Sequence, residues 1–173
     1  MIKQTFDRND EDFSPLRVFL PAVVLLLFLR LVAFEIVRVD GPSMVPAIEE
    51  GSTLLINRLA YGLGRPFGKG YILRWSEPER GEIVLLNSPL DTAIVVKRIF
   101  AVPGDAIDYS EGIMRIVDTE IVPDVTTADE FTSLSSIPEG HFFVLGDNAA
   151  RSLDSRHYGF VRIEDIRGRV IRF

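Results

Sequence analysis

The chain has 173 residues and no cysteine, which excludes disulfide bonds, thiol catalysis and cysteine-ligated zinc. Its formal net charge is −6 and it contains no dense Lys/Arg block, so the charge pattern argues against a nucleic-acid partner. With His141 and His157 as its only histidines, a multi-histidine metal site is excluded, and we expect no metal or other cofactor. The length fits one medium domain with an appendage.

The first predicted element is an apolar helix, LRVFLPAVVLLLFLRLVAF, from Leu16 to Phe34. Its uninterrupted part, Val18 to Leu29, is short enough for a buried helix or a signal-peptide core. However, the stretch lacks the polar stripe of a soluble amphipathic helix, and Arg17 and Arg30 are placed to reach the two membrane surfaces. No small-x-small cleavage site follows it. We therefore predict a retained transmembrane anchor.

The anchor divides the chain into three predicted parts. Residues 1–15 form a short tail, residues 16–36 form the anchor, and residues 37–173 form a β-rich domain. Lys3 and Arg8 precede the span, so the positive-inside rule favours a cytoplasmic N-terminus and an extracytoplasmic domain.

After the anchor the pattern changes to short β-rich runs separated by glycine, proline and other turn residues. In chain order these runs are FEIVRVD, STLLIN, GEIVLLN, TAIVVKRIFAV, GIMRIV, HFFVLGD and GRVIRF. Strands at this spacing, with no long amphipathic helix among them, predict a mainly β fold with an antiparallel sheet.

One segment between these runs, Tyr61 to Pro78, is rich in glycine and aromatic residues. Tyr61, Phe67, Tyr71 and Trp75 are residue types that occur at the lipid–water interface. The same composition would also suit an apolar cover at one end of a β-barrel. Both interpretations stay open from the sequence.

Ser43, in VDGPSMVPAIEEGS, is a candidate nucleophile shortly after the anchor. A serine nucleophile needs a base, most often a histidine oriented by a carboxylate. His141 begins a predicted strand and His157 lies in a predicted loop, and neither has a setting that marks it as that base. Taken alone, Ser43 is more simply interpreted as a turn residue between two prolines.

Lys97 changes this interpretation because it lies within the β-branched run TAIVVKRIFAV. Strand alternation puts Lys97 on one face with Val95 and Ile99, and Arg98 on the other, so one of the two cations must lie on an apolar face. Burial disfavours the ammonium and lowers a lysine pKa. A fall of roughly 2 to 3 units would make Lys97 a base near neutral pH. The alternative is a lysine whose ammonium extends to solvent.

The third motif is GDNAARSLDSRHYGFV, residues 146–161, which follows the apolar run HFFVL. We expect Gly146 to adopt a positive φ where the strand ends. Asp154 and Arg156 are spaced for an ion pair that would hold the loop rigid. Ser152 offers a hydroxyl that could orient a neutral amine.

Together, GPSMVPAIEEGS, RGEIVLLNSP, VVKRIFAVPGD and GDNAARSLDSRHYGFV resemble, in order and spacing, the conserved boxes of bacterial type I signal peptidases. The resemblance covers about residues 16–173. It implies a membrane-anchored serine endopeptidase with a partly open β-barrel, acting in protein secretion through a Ser/Lys dyad. In this resemblance Ser43 matches the nucleophile and Lys97 the general base. The supporting positions are Ser152, which matches the serine that positions the lysine amine, Asp154 and Arg156, which match the structural ion pair, and Asp147, which matches a nearby carboxylate.

The resemblance also implies the substrate and its binding positions. Val39, Met44, Ile48 and Val96 match positions that line the substrate pocket, and shallow apolar pockets favour the small residues of A-x-A-like cleavage sites. The expected partners are the signal peptides of secretory preproteins and membrane lipid, and we expect a monomer in the bacterial cytoplasmic membrane.

Gly41 is where this chain differs from part of the family. The resemblance gives the Ser43 backbone N–H a place in the oxyanion hole, and some members carry a side-chain hydroxyl two positions before the nucleophile. Gly41 occupies that position here, so the second donor must be backbone or water.

Two other functions fit the same motifs. One is a specialised relative, such as the pilin-maturation peptidases of conjugative transfer, which shares the Ser/Lys boxes. The other is an inactive membrane-anchored β module that binds exported peptides, which would leave Ser43, Lys97 and Ser152 present by coincidence.

Overall fold

The computed structural model describes residues 15–65, 68–124 and 131–172. The chain divides into two compact units, Met1–Val32 and Ala33–Phe173. We describe each unit by itself.

A single long helix, α1, spans Pro15–Ala33. Its described side chains are mainly exposed apolar ones, among them Phe19, Leu20 and Leu26. No helix within the described ranges reaches the length and mean hydropathy that crossing a membrane requires. The helix ends at Ala33, so the last three residues of the predicted anchor, 34–36, belong to the first strand instead.

The second unit is mainly β and antiparallel, as the sequence predicts. Its strands are β1 (Phe34–Arg38), β2 (Thr53–Asn57), β3 (Gly62–Gly64), β4 (Tyr71–Arg74), β5 (Ile83–Asn87), β6 (Ile94–Ala101), β7 (Ile107–Ser110), β8 (Ile113–Ile116), β9 (Thr119–Ile121), β10 (His141–Leu145), β11 (Val161–Arg162) and β12 (Ile166–Arg172). A short helix, α2 (Ser155–Tyr158), and two 3₁₀ turns, Ala149–Arg151 and Ile163–Asp165, lie between the last strands.

Three sheets organise these strands. A seven-stranded sheet runs in the order β1-β2-β12-β5-β6-β10-β11, while β3-β4 and β7-β8-β9 form separate smaller sheets. Register shifts interrupt the pairing of β10 with β6 and of β12 with both its neighbours. Such irregularities bend strands and increase twist, which curls the large sheet toward an open half-barrel.

The centre of the large sheet is covered on both faces. On β5, Val84 and Leu86 belong to one buried cluster, whereas Ile83 and Leu85 belong to another. We call these the helix-side cluster, which also includes Val144 beside α2, and the Ser43-loop cluster. A strand buried on both faces needs apolar residues at successive positions, which explains the unbroken run IVLL. Residues 39–52 supply much of the apolar cover on the face of the sheet that packs against the Ser43-loop cluster.

The β7-β8-β9 sheet packs on an aromatic group rather than on the large sheet's centre. Phe131, Phe143 and Phe160 meet mostly edge to face, with centroids 5.2 to 6.1 Å apart. Met114 and Ile116 of β8 are buried against them. This part of the core supports β10, which leads into the candidate site.

Candidate active site

Ser43 lies on a tightly held loop. The Val39 N–H donates to the Ser52 carbonyl (2.9 Å), and the Gly51 N–H donates back to the Val39 carbonyl (3.0 Å). Ser43 is half-buried, and its carbonyl accepts a hydrogen bond from the Asn148 N–H (2.9 Å). Within the described residues, the Ser43 N–H itself donates to no protein group. The loop therefore joins Ser43 to the 146–161 motif and leaves one backbone donor free.

The four residues predicted to line a substrate pocket pack together. Val39, Met44 and Ile48 belong to the Ser43-loop cluster, and Val96 of β6 packs against it. Met44 and Ile48 are almost completely buried, whereas Val96 is only half-buried. The first three therefore form the base of the site as core residues, and Val96 presents the accessible apolar surface.

Lys97 is the buried cation of β6. Its cross-strand partner is Val84, and its neighbours on the same face, Val95 and Ile99, belong to the helix-side cluster. Only 3% of Lys97 is exposed, and burial lowers the pKa of its amine, the nearby Asp154 carboxylate opposing this effect. In the part of the chain that the structure describes, the amine forms no hydrogen bond or ion pair. A buried amine without a partner favours its neutral form.

Arg98, by contrast, is fully partnered on the opposite face. Its Nε donates to Asp147 Oδ1 (2.8 Å), its Nη2 donates to Asp147 Oδ2 (2.6 Å), and its Nη1 donates to the Gly81 carbonyl (2.8 Å). This bidentate hydrogen bonding raises the pKa of Arg98. The Asp147 carboxylate therefore binds Arg98. Among the described residues, no carboxylate forms an ion pair with the neighbouring Lys97.

Asp154 is the centre of the 146–161 loop. Its carboxylate accepts two hydrogen bonds from Arg156, at 2.8 and 2.7 Å, and one from the Gly146 N–H at 3.0 Å. It also caps α2 in a reciprocal arrangement with His157. Burial opposes ionisation of Asp154, but the hydrogen bonds from Arg156 and Gly146 hold its pKa below the usual range. This fully buried carboxylate fixes the loop against the end of β10.

Ser152 presents a hydroxyl that has no partner. Only 5% of the residue is exposed, and its Oγ is buried without a well-formed hydrogen bond to any described group. It lies near enough to Asp154 to contribute to the lowered pKa of that carboxyl, although the contact lacks hydrogen-bond geometry. A buried unsatisfied hydroxyl is costly, so Ser152 is available to bind another polar group.

Gly146 connects these residues, although not for the reason predicted from the sequence. The prediction of a positive φ at Gly146 is wrong, because its backbone is not left-handed. Instead, a Cβ built on Gly146 would collide with the Ser152 side chain and lie 2.6 Å from the Ser43 carbonyl oxygen. Leu145 pairs with Arg98, so the next residue, Gly146, continues toward Lys97. The absence of a side chain at Gly146 lets Ser152 and the Ser43 carbonyl approach each other there.

Gly41 differs from Gly146 in both its backbone conformation and its surroundings. Its φ is +91°, a region that favours glycine, and a Cβ there would meet no atom within 4 Å. The space beside Gly41 is therefore open, and the backbone conformation rather than crowding accounts for the glycine.

The two histidines have structural contacts. His157 Nδ1 accepts a hydrogen bond from the Asp154 N–H (3.3 Å) within the cap of α2, and His141 Nδ1 lies 2.9 Å from the Glu139 carbonyl oxygen. Tyr158 was not predicted from the sequence as a site residue, and its buried hydroxyl has no partner among the described residues. Burial raises its pKa, and Asp154 adds to that effect. In the described ranges no group of three or more His, Asp or Glu residues is arranged to hold a metal ion.

Removing the Asp154 charge should destabilise the domain. In Asp154→Asn, the half-buried Arg156 guanidinium and the Gly146 N–H lose their anionic acceptor, and we expect a loss of about 3 kcal/mol in the free energy of unfolding. Chemical denaturation at pH 7 measures this loss. The contribution of Asp154 is present above the unfolded carboxyl pKa, near 3.8, and disappears as the pH falls through the lower folded value.

The matched control is Glu120→Gln, because Glu120 forms an exposed ion pair with Arg115. Such pairs contribute little to stability, so the unfolding midpoint of this variant should not change. Equal destabilisation by both substitutions would contradict the role given to Asp154.

Comparison with known proteins shows the family of the chain. A family model described as "Signal peptidase, peptidase S26" matches residues 13–173. Signal peptidase I of Bacillus caldolyticus is 32% identical over 166 residues, which cover 86% of this chain and 84% of that protein. Signal peptidase I V of Bacillus subtilis (strain 168) is 29% identical over 163 residues, which cover 85% and 89% of the two chains. A solved signal peptidase I from Enterococcus faecalis V583 is 28% identical, with a TM-score of 0.40 over 56% of this chain and 98% of that one. The chain therefore belongs to the signal peptidase family, peptidase S26.

Proposed function

We propose that this signal peptidase removes N-terminal signal peptides from exported preproteins with Ser43 as the nucleophile and Lys97 as the general base. The observation that carries the proposal is Lys97, a residue buried on an apolar face whose amine has no partner among the described residues. Gly146 then provides the contact that joins Ser43 and Ser152. His157 does not compete for this role, because its Nδ1 accepts the Asp154 N–H, so the neutral ring carries its proton on Nε2 and has no free lone pair.

The reaction follows from a neutral amine beside a hydroxyl. Lys97 takes the Ser43 proton as Ser43 Oγ attacks the scissile carbonyl carbon, which forms the C–O bond. The resulting ammonium gives that proton to the leaving nitrogen as the C–N bond breaks, and the mature protein departs. Lys97, neutral again, takes a proton from water, and the resulting hydroxide attacks the ester. The bond between Ser43 Oγ and the carbonyl carbon then breaks, the Lys97 ammonium returns its proton to Ser43 Oγ, and the signal peptide leaves with a free carboxylate.

Ser152 acts as a positioning residue in this proposal. Its free buried hydroxyl can accept a hydrogen bond from the neutral amine or donate one to it, which would orient the lone pair toward Ser43. Asp154 and Arg156 hold the loop that carries Ser152 in place through their bidentate ion pair. A loop fixed in this way needs no reorganisation during the reaction.

The free Ser43 N–H supplies one oxyanion donor, and each such donor is worth roughly 3 to 4 kcal/mol of transition-state stabilisation. Gly41 contributes no side chain. A water molecule in the open space beside Gly41 is the second donor in this proposal.

The substrate chain binds along β6. β5 pairs with Ile94–Arg98, whereas β10 pairs on the other side only from Arg98 to Ala101. Within the described residues, the second edge of Ile94–Val96 therefore has no strand beside it. An extended peptide can add to such an edge through main-chain hydrogen bonds, and the half-buried Val96 offers apolar contact suited to small side chains.

Cleavage should depend on pH through Lys97. The base works only when neutral, so kcat/KM should fall tenfold per pH unit below the Lys97 pKa, which burial places below the ordinary value of 10.5. A pH–rate profile of the full chain in detergent, with a preprotein substrate, measures this midpoint. A midpoint that matches an ordinary histidine, about 6.5, and disappears in His141→Gln or His157→Gln would contradict the assignment.

The remaining proposals concern the anchor. Residues 16–36 hold the chain in the bacterial cytoplasmic membrane, with tail 1–15 in the cytoplasm and domain 37–173 outside, acting as a monomer. The exposed apolar side chains of α1, such as Leu26 and Phe28, support this placement. Resistance of the chain to alkaline extraction from membranes would agree with it. Release into the supernatant would contradict it.

The function itself is tested by incubating the purified full chain with a secretory preprotein. The proposal expects one cut at the signal–mature junction, which N-terminal sequencing of the product identifies. A preprotein that binds but stays intact would instead favour an inactive peptide-binding module.

A further inference from the structure

Two buried side-chain oxygens within the described ranges have no hydrogen-bond partner, Ser152 Oγ and Tyr158 Oη. The reaction proposed above uses only the first of them. Tyr158 is the last residue of α2, and its backbone N–H donates to the Asp154 carbonyl (3.2 Å). A buried hydroxyl without a partner costs free energy, so its persistence calls for a functional explanation.

The other two tyrosines of the helix-side cluster have partners. Tyr61 donates its hydroxyl to Glu82 (2.7 Å), and Tyr71 donates its hydroxyl to a backbone carbonyl (2.6 Å). Both are apolar cover for the core, which is one of the two interpretations of their aromatic segment, and Phe67 of that segment lies outside the described residues. Tyr158 packs against the same cluster, but its hydroxyl has no such partner among the described residues.

Tyr158 and Lys97 lie over the same part of the large sheet. The Tyr158 ring packs against the helix-side cluster. That cluster includes Val84, the cross-strand partner of Lys97, and Ile99, its neighbour on the same face of β6. The Asp154 carboxylate acts on both groups, since it opposes the fall in the pKa of Lys97 and raises the pKa of Tyr158. Phenol, carboxylate and amine therefore share one buried region.

The charges around this region keep the phenol neutral. Burial and the Asp154 carboxylate both raise the pKa of Tyr158, so its Oη keeps its proton and still offers lone pairs as an acceptor. Asp154 and Arg156 are the charged groups that act on Lys97, and they are bound to each other by a bidentate ion pair. His157, the remaining titratable residue of α2, takes part in the helix cap.

We propose that Tyr158 is a further positioning residue of the reaction, whose Oη accepts a hydrogen bond from the Lys97 ammonium that forms during acylation. Ser152 Oγ accepts a second one. An ammonium has three N–H donors. One carries the proton that passes to the leaving nitrogen, and the other two match the two unpaired hydroxyls. The inference rests on the proposed Ser43/Lys97 chemistry and adds the group that stabilises its charged intermediate.

This arrangement would favour the transition state over the resting enzyme. Hydrogen bonds to an ionised group are stronger than those to a neutral one, so the Tyr158 hydroxyl gains most when Lys97 becomes charged. Only interactions that strengthen in the transition state accelerate the chemical step. The Asp154 cap fixes α2 in advance, so the hydroxyl needs no reorganisation when the charge appears.

Tyr158→Phe tests the proposal because it removes the hydroxyl and keeps the ring. Loss of the acceptor destabilises the ammonium, so the pKa of Lys97 should fall by about one unit, a tenfold change in its ionisation equilibrium. The readout is the ¹³C signal of Lys97 in the full chain, labelled at its lysine side chains and identified by its absence from Lys97→Met. The kcat for preprotein cleavage above this midpoint should fall roughly three- to tenfold, because a weaker base transfers the proton less readily. KM and the unfolding midpoint should not fall or rise with it, since the lost hydroxyl had no partner.

The matched control is Tyr109→Phe. Tyr109 is a half-buried tyrosine of β7 that packs against the aromatic group beneath the β7-β8-β9 sheet, and its substitution should change neither the Lys97 titration nor kcat. A Lys97 signal in Tyr158→Phe that titrates at the same pH as in the unsubstituted chain, or at a higher pH, would overturn the inference and leave the dyad intact. Normal cleavage by Lys97→Met would instead count against the proposed function itself, and the inference would fail with it.

Discussion

Ser43→Ala is expected to lower the rate of signal-peptide cleavage by at least about 1,000-fold while leaving the fold intact. The substitution removes the hydroxyl that forms the ester and little else, since Ser43 is only half-buried and its loop is held by backbone hydrogen bonds. Losses of this size are typical when a nucleophile is removed from a serine peptidase. Gel analysis of preprotein processing under single-turnover conditions measures the effect.

Lys97→Met should cause a similar loss, and the double variant should be no worse than either single one, because nucleophile and base act as a unit. Methionine keeps the unbranched apolar part of the side chain, one atom shorter, and removes the buried amine, so the unfolding midpoint should stay the same or rise. Ser110→Ala, at the exposed end of β7, is the matched serine control and should process preprotein normally. Normal processing by both Ser43→Ala and Lys97→Met would exclude this dyad.

Gly146→Ala is expected to lower cleavage by about 100-fold or more. The added methyl group would overlap the Ser152 side chain and crowd the Ser43 carbonyl oxygen, so at least one of the two residues must move. Displacements near 1 Å in a catalytic arrangement cost about this much. The loss should fall on kcat rather than on KM, because the substrate edge of β6 is not altered.

Gly64→Ala is the matched control for that change. Its φ is not left-handed, and the nearest atom to an added Cβ, the Gly70 carbonyl oxygen, is 4.0 Å away. This variant should retain full activity. If Gly146→Ala also cleaved normally, Gly146 would not hold Ser43 and Ser152 at the site as described.

Much of the fold follows from the sequence. Each of the seven predicted β runs overlaps a strand, and the alternation in TAIVVKRIFAV groups Lys97 with Val95 and Ile99, on the face that the structure shows to be the buried one. Such strands can be predicted because apolar and polar residues alternate along the sequence of a half-buried strand. The prediction missed five strands of two to four residues each, namely β3, β4, β7, β9 and β11. Segments this short contain too few residues to show an alternating apolar pattern.

The features that were not predictable depend on contacts between distant segments. The close approach at Gly146 is set by Ser152, which follows it on the same loop, and by Ser43, which lies far from it along the chain. A glycine after a strand fits a turn equally well. The assignment of Asp147 to Arg98 depends on the register between β6 and β10. The deep burial of Met44 likewise depends on a sheet face that only the folded domain provides.

The most direct test of the proposed chemistry is the titration of Lys97 in the full chain. The chain has three lysines, Lys3, Lys69 and Lys97, so a sample labelled with ¹³C at the lysine side chains should give three resolvable signals in detergent micelles. We expect the signal absent from Lys97→Met to titrate below the ordinary lysine value of 10.5, because burial disfavours the ammonium. If all three signals titrated together near 10.5, Lys97 would remain charged at the pH of the reaction and would not be its base.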